Sequence, residues 1–373
     1  MNLSVPRIAR DNVDIRTTLR SLAESMSPPE VLRQAEESSS TGDLPIWKAL
    51  VEGGWTGLCL PEAQGGGGAG FSDAQLVLFE LGRAGAPVPY RSTVYTGFFL
   101  AREASDSADA QAIVAQMAEG AVWTSGVLEH GRDHDLAMEA SAGRLTGSKD
   151  FIPDAAAAAG LLIAANHSAT EVGWYAASCE ADGLEITDLR GFGPDPTFAV
   201  RLSDTPAELV HVAEWSSVDR WRLLWQLVEV SWATGLMARL LEIATEHALT
   251  RHQFKRPIGQ FQAVQHRLAN SVIQTQGCVH LARSCAFDID ELGLSHPQAS
   301  FSADLAYRAA KNAARIVVAD AHQVLGGLGY TLEHDLQLFS RRLKAFSVGG
   351  QRLTDVGERI AAQSYPTTER IGA

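Results

Sequence analysis

Several classes of protein depend on residues that this sequence contains in small number. Four cysteines occur among 373 residues, and neither they nor the histidines follow the close spacing of a zinc site. The sequence therefore predicts no metal site. We expect packed thiols in a reducing compartment, which favours a cytoplasmic protein, and these thiols belong to Cys59, Cys179, Cys278 and Cys285.

Long apolar runs and an excess of positive charge are also missing. The longest stretch without polar side chains, Ala155–Ala165, is about half the length of a membrane-spanning helix and is typical of a buried strand. Charged residues throughout Met1 to Leu22 predict no secretory signal. A net charge of −13 argues against binding to nucleic acid or to an anionic membrane. The net charge does not exclude a local basic pocket that binds an anionic cofactor.

The apolar pattern divides the chain into three zones, which predict an α+β fold. Residues 1–120 show a helical period and form an N-terminal helical domain. Short apolar runs between Gly, Asp, Asn and Pro predict a small β-barrel or β-sandwich domain over 121–212. Residues 213–373 return to helical patterns and predict a four-helix bundle. Its helices are expected at Val218–Thr250, Phe261–Leu292, Phe301–Leu325 and His334–Ser364.

A glycine-rich segment, Gly65–Gly70, interrupts the first zone between helical runs at 44–53 and 72–82. Ser72 and Asp73 are suitable N-cap residues for the second run. The segment lacks the Lys-Ser/Thr ending of a phosphate loop and no strand precedes it. We interpret it as a flexible turn.

Two other segments have features of a nucleotide site. Gly326 and Gly327 follow a helical run, where glycine permits φ > 0 and close approach of another molecule, although a simple helix cap is an equal alternative. The segment 251–262 joins two helices and carries Arg251, Arg256, an aromatic residue and amides. Arginine suits bidentate contact with phosphate. This cluster indicates either a diphosphate site or a salt-bridge cluster between helices.

Four segments, taken together, resemble the acyl-CoA dehydrogenase family. The resemblance covers nearly the whole chain, and the family fold has the same helical, β, helical order. The segments are RHQF at 251–254 with IGQFQAVQHRLA at 258–269, HQVLGGLGY at 322–330, GGWTGL at 53–58 with PE at 61–62 and the glycines at 65–68, and LTGSKDFIP at 145–153.

The resemblance implies an FAD cofactor and residues that contact it. Arg251, Gln253 and Phe254 would meet the diphosphate of an FAD held mainly by a neighbouring subunit. Phe151 takes the place of an aromatic residue beside the flavin ring of this chain's own β domain. The other expected contacts, on the ADP half of the cofactor, are Ile258, Phe261, Val264, Gln323, Gly326 and Gly327.

The sequence departs from the family where the catalytic base is expected. Dehydrogenation of an acyl thioester needs a carboxylate that removes the α-proton while the flavin accepts a hydride. The two positions at which the family places this glutamate correspond to Gly350 and Trp225 here, and neither residue can accept a proton. If the count slips by one helical turn, Glu229 is the nearest carboxylate.

Two positions beside the flavin ring have also lost a hydroxyl group. Leu128 replaces a threonine and Pro153 replaces a threonine or serine of the family pattern. Each lost hydrogen bond would cost about 1 kcal/mol. Binding of a flavin ring in this chain's own β domain is therefore in doubt, whereas the segment donated to the neighbour is intact.

Two further patterns admit two interpretations each. Glu333-His334-Asp335 ahead of Arg341-Arg342 is similar to members that act in bacterial steroid and other bulky-acyl pathways, but a charge cluster at a helix N-terminus explains the run equally simply. Trp221, Trp225 and Trp232 share one helical face. They either pack in the core or fill the acyl pocket.

The residues and the resemblance together predict an FAD-dependent acyl-CoA dehydrogenase that acts on a bulky, steroid-like acyl-CoA. We expect the subunit that lacks the base, paired with a paralogous chain in a heterotetramer, with an electron-transfer flavoprotein as electron acceptor. A self-sufficient homo-oligomer is the alternative, with Glu229, Glu333 or Asp335 as an atypical base. A flavin-free structural subunit and a flavin monooxygenase are further alternatives.

Overall fold

The computed structural model describes residues 13–37, 42–129, 136–189, 191 and 193–364. Residues 1–12, part of the segment in which no secretory signal is predicted, lie outside the described residues. The N-terminal region contains the helices α1 Val13–Met26, α2 Pro29–Glu37, α3 Pro45–Glu52, α4 Phe71–Ala84, α5 Tyr90–Glu103 and α6 Ala108–Ala118.

Helix α4 begins one residue before the predicted caps. Gly70 is its N-cap and makes no side-chain cap hydrogen bond. The carboxylate of Asp290 instead accepts hydrogen bonds from the backbone N–H groups of Phe71 (2.6 Å) and Ser72 (3.0 Å). The prediction of Ser72 or Asp73 as N-cap is wrong because a residue distant in sequence satisfies these donors.

The glycine-rich turn ahead of α4 is tightly packed. The N–H groups of Gly67 and Gly68 donate to the carbonyls of Gly57 and Leu60. A Cβ at Gly66 would lie 2.3 Å from the carbonyl oxygen of Leu60. The segment is a turn, as expected, but the prediction of flexibility is wrong because the neighbouring backbone holds it.

Within the described residues, eight strands form one sheet in the order β6-β7-β3-β2-β4-β5-β8, and β1 pairs with β4. The strands are β1 Trp123–Gly126, β2 Glu139–Ser141, β3 Arg144–Pro153, β4 Gly160–Asn166, β5 Glu171–Ser178, β6 Leu184–Asp188, β7 Thr197–Pro206 and β8 Glu208–Glu214.

Strand β4 is buried on both faces, which explains its uninterrupted apolar sequence. Leu161 and Ile163 pack in a core within the sheet domain, together with Val200 of β7. Leu162 and Ala164 point the other way, into the core shared with the helices. The expected buried strand therefore exists, but it starts at Gly160 because a short 3₁₀ turn occupies the preceding alanines.

The C-terminal region begins with a helix of 35 residues and continues through a short hairpin. Its elements are α7 Ser216–Thr250, β9 His252–Gln253, β10 Arg256–Pro257, α8 Gln262–Leu292, α9 Pro297–Leu325, α10 Leu336–Val348 and α11 Leu353–Ser364.

The helix predicted over 334–364 is two helices, α10 and α11. Gly350, with φ of 71°, lies in the break between them. A left-handed residue cannot continue a right-handed helix. The prediction of one continuous fourth helix is wrong for this reason, and the break places Gly350 against α7 and α9.

Helices α4 and α7 cross at backbone distance. A Cβ at Gly82 would lie 2.3 Å from the carbonyl oxygen of Trp232, and one at Gly235 would lie 2.1 Å from that of Phe79. The two glycines therefore fix the register of α7 on α4. One apolar core extends from the N-terminal helices to the C-terminal ones. No helix of the described ranges has the length and apolar character needed to span a membrane.

Candidate active site

The two positions that correspond to the family's base meet in space. A Cβ at Gly350 would lie 2.9 Å from the ring of Trp225 and 2.2 Å from the Tyr307 hydroxyl. The Nζ of Lys311 would be 3.5 Å away. Gly350, Trp225, Tyr307 and Lys311 are called the base slot below.

The base slot has no room for a side chain at position 350. Tyr307 is fully buried between Trp225 and Phe346, with ring centroids 6.1 Å from each. Its hydroxyl accepts a hydrogen bond from the N–H of Gln351 (3.2 Å), and so the ring is held on two sides. The left-handed φ of Gly350 disfavours any other residue there. Both the available space and the backbone conformation disfavour a glutamate at this position.

An aromatic row extends from the base slot along α7. Trp225 is half-buried and stacks on Trp221, with ring planes 8° apart and centroids 6.5 Å apart. Trp221 in turn meets Tyr95 of α5 edge to face at 5.7 Å. Trp232, further along α7, is covered by the guanidinium of Arg91 at 4.7 Å. Trp221 and Trp232 pack in the core, whereas Trp225 is half-buried in the base slot.

Lys311 brings a positive charge to the base slot. Its ammonium donates to the carbonyl oxygen of Gly349 (2.6 Å) and to that of Phe346, at the end of α10. The rings of Tyr307 and Phe346 lie 4.8 and 4.3 Å from Nζ. Burial lowers the pKa of Lys311 to about 8, although Glu229 opposes this shift. The charge of Lys311 is opposite in sign to that of a catalytic carboxylate.

Glu229, the expected fallback base, is bound to a cation. Its carboxylate accepts from Arg91 at 3.1 Å, and Arg91 also donates to Asp195 at 2.6 Å. Arg342 completes the network by donating to Asp195 at 2.8 Å. Burial alone would raise the pKa of Asp195, but Arg91 and Arg342 lower it. Arg91, Asp195 and Arg342 border, together with Trp232, a cavity of about 10 Å³, which has room for about one water molecule.

The acidic run before α10 has a structural role. Asp335 accepts a hydrogen bond from Arg33 of α2 at 2.7 Å, and the same guanidinium donates to the carbonyl of Glu333. The Nδ1 of His334 accepts from the N–H of Leu336 at the start of α10. These contacts support the interpretation of the run as a charge cluster at a helix N-terminus.

The residues expected at a diphosphate lie on an exposed hairpin at the end of α7. Strands β9 and β10 are joined by Phe254 and Lys255, whose φ values are 52° and 65°. Two left-handed central residues define a type I′ turn, which favours Asn-Gly. The left-handed conformation costs roughly 1–2 kcal/mol for each residue that has a Cβ. Phe254 is 86% exposed, and Arg251 and Gln253 are exposed as well.

The residues expected near the adenine divide into two kinds. Ile258 and Val264 are half-buried and pack against the helical core. Phe261 is half-buried beneath the guanidinium of Arg256 at 4.2 Å and meets Phe254 edge to face. The first two therefore support the hairpin, and the aromatic residues shape its surface.

The glycines after α9 present open backbone. Gly326 and Gly327 are exposed, and a Cβ on either would meet nothing within 4 Å. Gln323 is exposed in the last turn of α9. Burial lowers the pKa of His247 in the last turn of α7, and the charges of His334 and Arg251 lower it further. This surface can admit an anionic nucleotide.

The expected ring-side residues lie together on the sheet domain. Leu128 follows β1, and its carbonyl accepts from the N–H of Asp150 at 2.9 Å. Phe151 is 60% exposed at a bulge in β3, with φ of 58°, and Pro153 ends that strand. The side chains of Leu128 and Pro153 offer no hydrogen bond to a flavin, whereas the exposed face of Phe151 can stack on one.

A buried ion pair beneath this loop was not predicted. Lys149 is fully buried and donates to Glu129 at 2.5 Å, next to Leu128. The Glu129 carboxylate also accepts from the N–H groups of Ala137 and Met138. Burial lowers the pKa of Lys149 to about 8, and Glu129 limits the shift. The ion pair therefore connects Glu129, next to Leu128, to strand β3. The backbone hydrogen bonds of Glu129 connect it to the residues just before β2.

Reasoning from sequence also missed Tyr307, Lys311 and Arg91. A usable signal existed for two of them, because Tyr307 and Lys311 are four residues apart and share one face of α9. Lys311 stands between two pairs of alanines, Ala309-Ala310 and Ala313-Ala314, in the sequence of α9. Arg91 gave no such signal, since its partners come from two distant segments, α7 and the residues before β7.

Comparison with known proteins identifies the family to which this fold belongs. Residues 10–121 match the N-terminal domain model of acyl-CoA dehydrogenases, and residues 223–350 match the C-terminal domain model. The chain belongs to the acyl-CoA dehydrogenase family, whose members are oxidoreductases acting on CH–CH bonds. The predicted family is confirmed.

Among individual proteins, the acyl-CoA dehydrogenase IpdE2 of Mycobacterium tuberculosis is 29% identical over 334 residues, covering 88% of this chain and 89% of the relative. The structure of the ChsE4-ChsE5 complex from the same organism superimposes with a TM-score of 0.86 at 24% identity, covering 97% and 99%. Butyryl-CoA dehydrogenase from Megasphaera elsdenii gives 0.84 at 18% identity, covering 96% and 100%. These similarities confirm the predicted order of helical region, sheet and helical region.

Proposed function

We propose that this chain is the subunit without a catalytic base in a heteromeric, FAD-dependent acyl-CoA dehydrogenase. The observation that carries the proposal is the base slot. Tyr307 and the left-handed backbone disfavour a glutamate at position 350, where this sequence has glycine, and Trp225 occupies the alternative position. The α-proton must then be removed by a residue of another chain.

The hairpin supports a role in holding a cofactor for that other chain. Arg251 and Phe254 are exposed, and Gly327 presents open backbone. These features fit the ADP half of FAD. When bound, FAD supplies the acceptor for the hydride that leaves the β-carbon of the acyl group. The residues of this chain would neutralise the diphosphate and hold the adenosine half in place.

Two similarities support a heteromeric assembly and a bulky substrate. One structure with the same fold is a complex of two differently named chains, ChsE4 and ChsE5, and another is described as a steroid acyl-CoA dehydrogenase. By analogy, we propose that this chain assembles with a paralogous subunit in the cytoplasm, acts on a steroid-like acyl-CoA and passes electrons to an electron-transfer flavoprotein.

Purification with and without the paralogous chain tests the proposal. We expect no turnover of steroid-like acyl-CoA or of butyryl-CoA by this chain alone. Co-expression with the paralogue is expected to yield a yellow complex that oxidises the bulky substrate. Replacement of the paralogue's glutamate by glutamine should abolish turnover. Full activity of this chain alone would contradict the proposal.

A flavin-free structural subunit is the second candidate, because Leu128 and Pro153 leave the ring side without hydroxyl donors. The visible absorbance of the purified complex separates the two. A flavin that is lost when Arg251 is substituted supports the first function. A colourless complex, or a complex that keeps its flavin when Arg251 is substituted, supports the second function.

A further inference from the structure

A small cavity lies where the three regions of the chain meet. It has a volume of about 10 Å³, enough for about one water molecule, and its lining includes Arg91 of α5, Trp232 of α7 and Arg342 of α10. Asp154, which follows β3, and Asp195, which precedes β7, border it from the sheet domain. A ligand in this cavity would therefore contact all three regions at once.

Trp232 brings a buried hydrogen-bond donor to the lining. It is 3% exposed, and within the described ranges no atom of the chain accepts a hydrogen bond from its Nε1. Trp174, another buried tryptophan, donates from Nε1 to the hydroxyl of Ser217 at 3.1 Å. Buried donors are almost always paired with protein or with ordered water, because an unsatisfied N–H group is destabilising. Arg91 covers the face of the Trp232 ring, whereas the N–H group lies in the ring plane, and so the two contacts do not compete.

The charges around the cavity favour a neutral ligand. The guanidinium groups of Arg91 and Arg342 and the carboxylates of Asp154 and Asp195 border it together, and their formal charges cancel. Both arginines donate to Asp195, at 2.6 and 2.8 Å. Burial raises the pKa of Asp195, but the two arginines lower it below its ordinary value, and so this carboxylate is ionised at neutral pH. A halide or a metal cation would upset the balance of charge.

The hydrogen-bonding groups require a ligand that both accepts and donates. The N–H group of Trp232 is a donor only, and the ionised carboxylate of Asp195 is an acceptor only. A halide accepts hydrogen bonds but cannot donate them, and an ammonium ion or a metal cation accepts none. Water does both, and it has the size that the cavity admits.

We propose that this cavity is a binding site for one water molecule, which accepts a hydrogen bond from Nε1 of Trp232 and donates one to the carboxylate of Asp195. The water links α7 to the sheet domain beside the ion pairs of Arg91, and thereby helps to hold the sheet against the helices. Neither a cofactor nor a second chain takes part, and so this water site is independent of the proposed function.

A crystal structure of the assembly that the full chain forms on purification, at a resolution that reveals ordered water, tests the site directly. We expect one oxygen-sized density peak about 2.9 Å from Nε1 of Trp232 and within hydrogen-bonding distance of the Asp195 carboxylate. Crystals soaked in bromide and in rubidium salts should show no anomalous peak there. A bromide peak would make the cavity an anion site, and a rubidium peak would make it a cation site. Either result, or the absence of any density, overturns the inference.

Two valine-to-threonine substitutions test the site in solution. Val88→Thr adds a hydroxyl group at the lining of the cavity, where a bound water can form a hydrogen bond with it. Val122→Thr is the matched control, because it adds the same group in the apolar core at a residue that does not border the cavity. The two valines are 5% and 6% exposed, and both lie outside helices and strands.

We expect Val122→Thr to lower the melting temperature of the assembly by about 3 °C, because its hydroxyl group is buried without a partner. Val88→Thr should lower the melting temperature by less than about 1 °C, because the water satisfies its hydroxyl group. Equal decreases in the two variants would mean that no water is available at Val88, and they would contradict the proposed water site.

Discussion

The hairpin and the base slot lie at opposite ends of α7 and differ in almost every physical respect. The hairpin is exposed, cationic and strained at two consecutive residues. The base slot is filled by aromatic rings, and its buried lysine is satisfied by two backbone carbonyls. The hairpin therefore has exposed groups that can bind a ligand, whereas the groups of the base slot already contact one another. The difference supports the proposal that this chain contributes to a neighbour's active site.

The largest effect is expected from an attempt to restore the base. Gly350→Glu should lower the free energy of unfolding by about 3 kcal/mol, through the left-handed backbone and the contact with Tyr307, and should add no activity. Urea denaturation and turnover of acyl-CoA measure the two outcomes. Gly349→Ala is the control, because its φ is −80° and the nearest atom to its Cβ would be 3.2 Å away. A stable, active Gly350→Glu protein would show that the base slot is open.

The charge in the base slot should give a pH-dependent stability. Lys311 titrates near 8 in the folded chain and at 10.5 when unfolded. Between these values the unfolded chain binds more protons, and so stability rises with pH, by on the order of 3 kcal/mol in full. The contribution is lost as pH falls towards 8.

Unfolding of Lys311→Met between pH 7 and pH 10 isolates this contribution by difference from the unsubstituted chain. The substitution should flatten the rise with pH, although the loss of two hydrogen bonds shifts the whole curve. Lys344→Met, at an exposed lysine of α10, should leave the rise intact. Parallel curves for Lys311→Met and the unsubstituted chain would mean that this lysine is not held in a desolvated slot.

At the other end of α7, Arg251→Ala tests the hairpin. It should weaken FAD binding by the assembly about 30-fold, because a guanidinium is lost from the diphosphate. Stability should change little, since the side chain is exposed. Arg201→Ala, at an exposed arginine of β7, is the control for a general change in charge. Equal FAD affinity in both variants would remove the distinction between the two regions.

The smallest effect is expected at Asp335. Asp335→Asn should leave turnover unchanged and lower stability by less than about 1 kcal/mol, because its ion pair with Arg33 is partly exposed. A large loss of turnover in the active assembly would make Asp335 a functional base and would weaken the case for a donated one.

The elements that the sequence predicted well are those whose signal is local. Helix α7 and the strand β4 follow from apolar periodicity and from an unbroken apolar run. The break at Gly350 and the capping of α4 by Asp290 were missed because each depends on contacts between distant segments.

For the candidate site, the two positions of the family's base were located by counting residues along the sequence. Counting from Gly235 gave Trp225, and counting from Gly326 and Gly327 gave Gly350. The structure brings both positions together. Counting along the sequence could not identify the side chains that fill the base slot. Tyr307 reaches it from α9, and the charge of Glu229 is cancelled by Arg91 of α5. Such pairings are set by tertiary packing, and residue spacing along one chain does not encode them directly.

The length of α7 has a consequence for the geometry of any assembly. Trp225 and Arg251 are 26 residues apart along one helix, and a rise of 1.5 Å per residue separates them by about 39 Å. The close contact between Gly82 of α4 and the backbone of Trp232 holds α7 in place near its middle. The distance between Trp225 and Arg251 is therefore fixed. A ligand that touches Arg251 cannot also reach Trp225 of the same chain unless it is comparably long. In the proposed assembly, the ligand at the hairpin therefore belongs to a site other than the one beside Trp225 of the same chain.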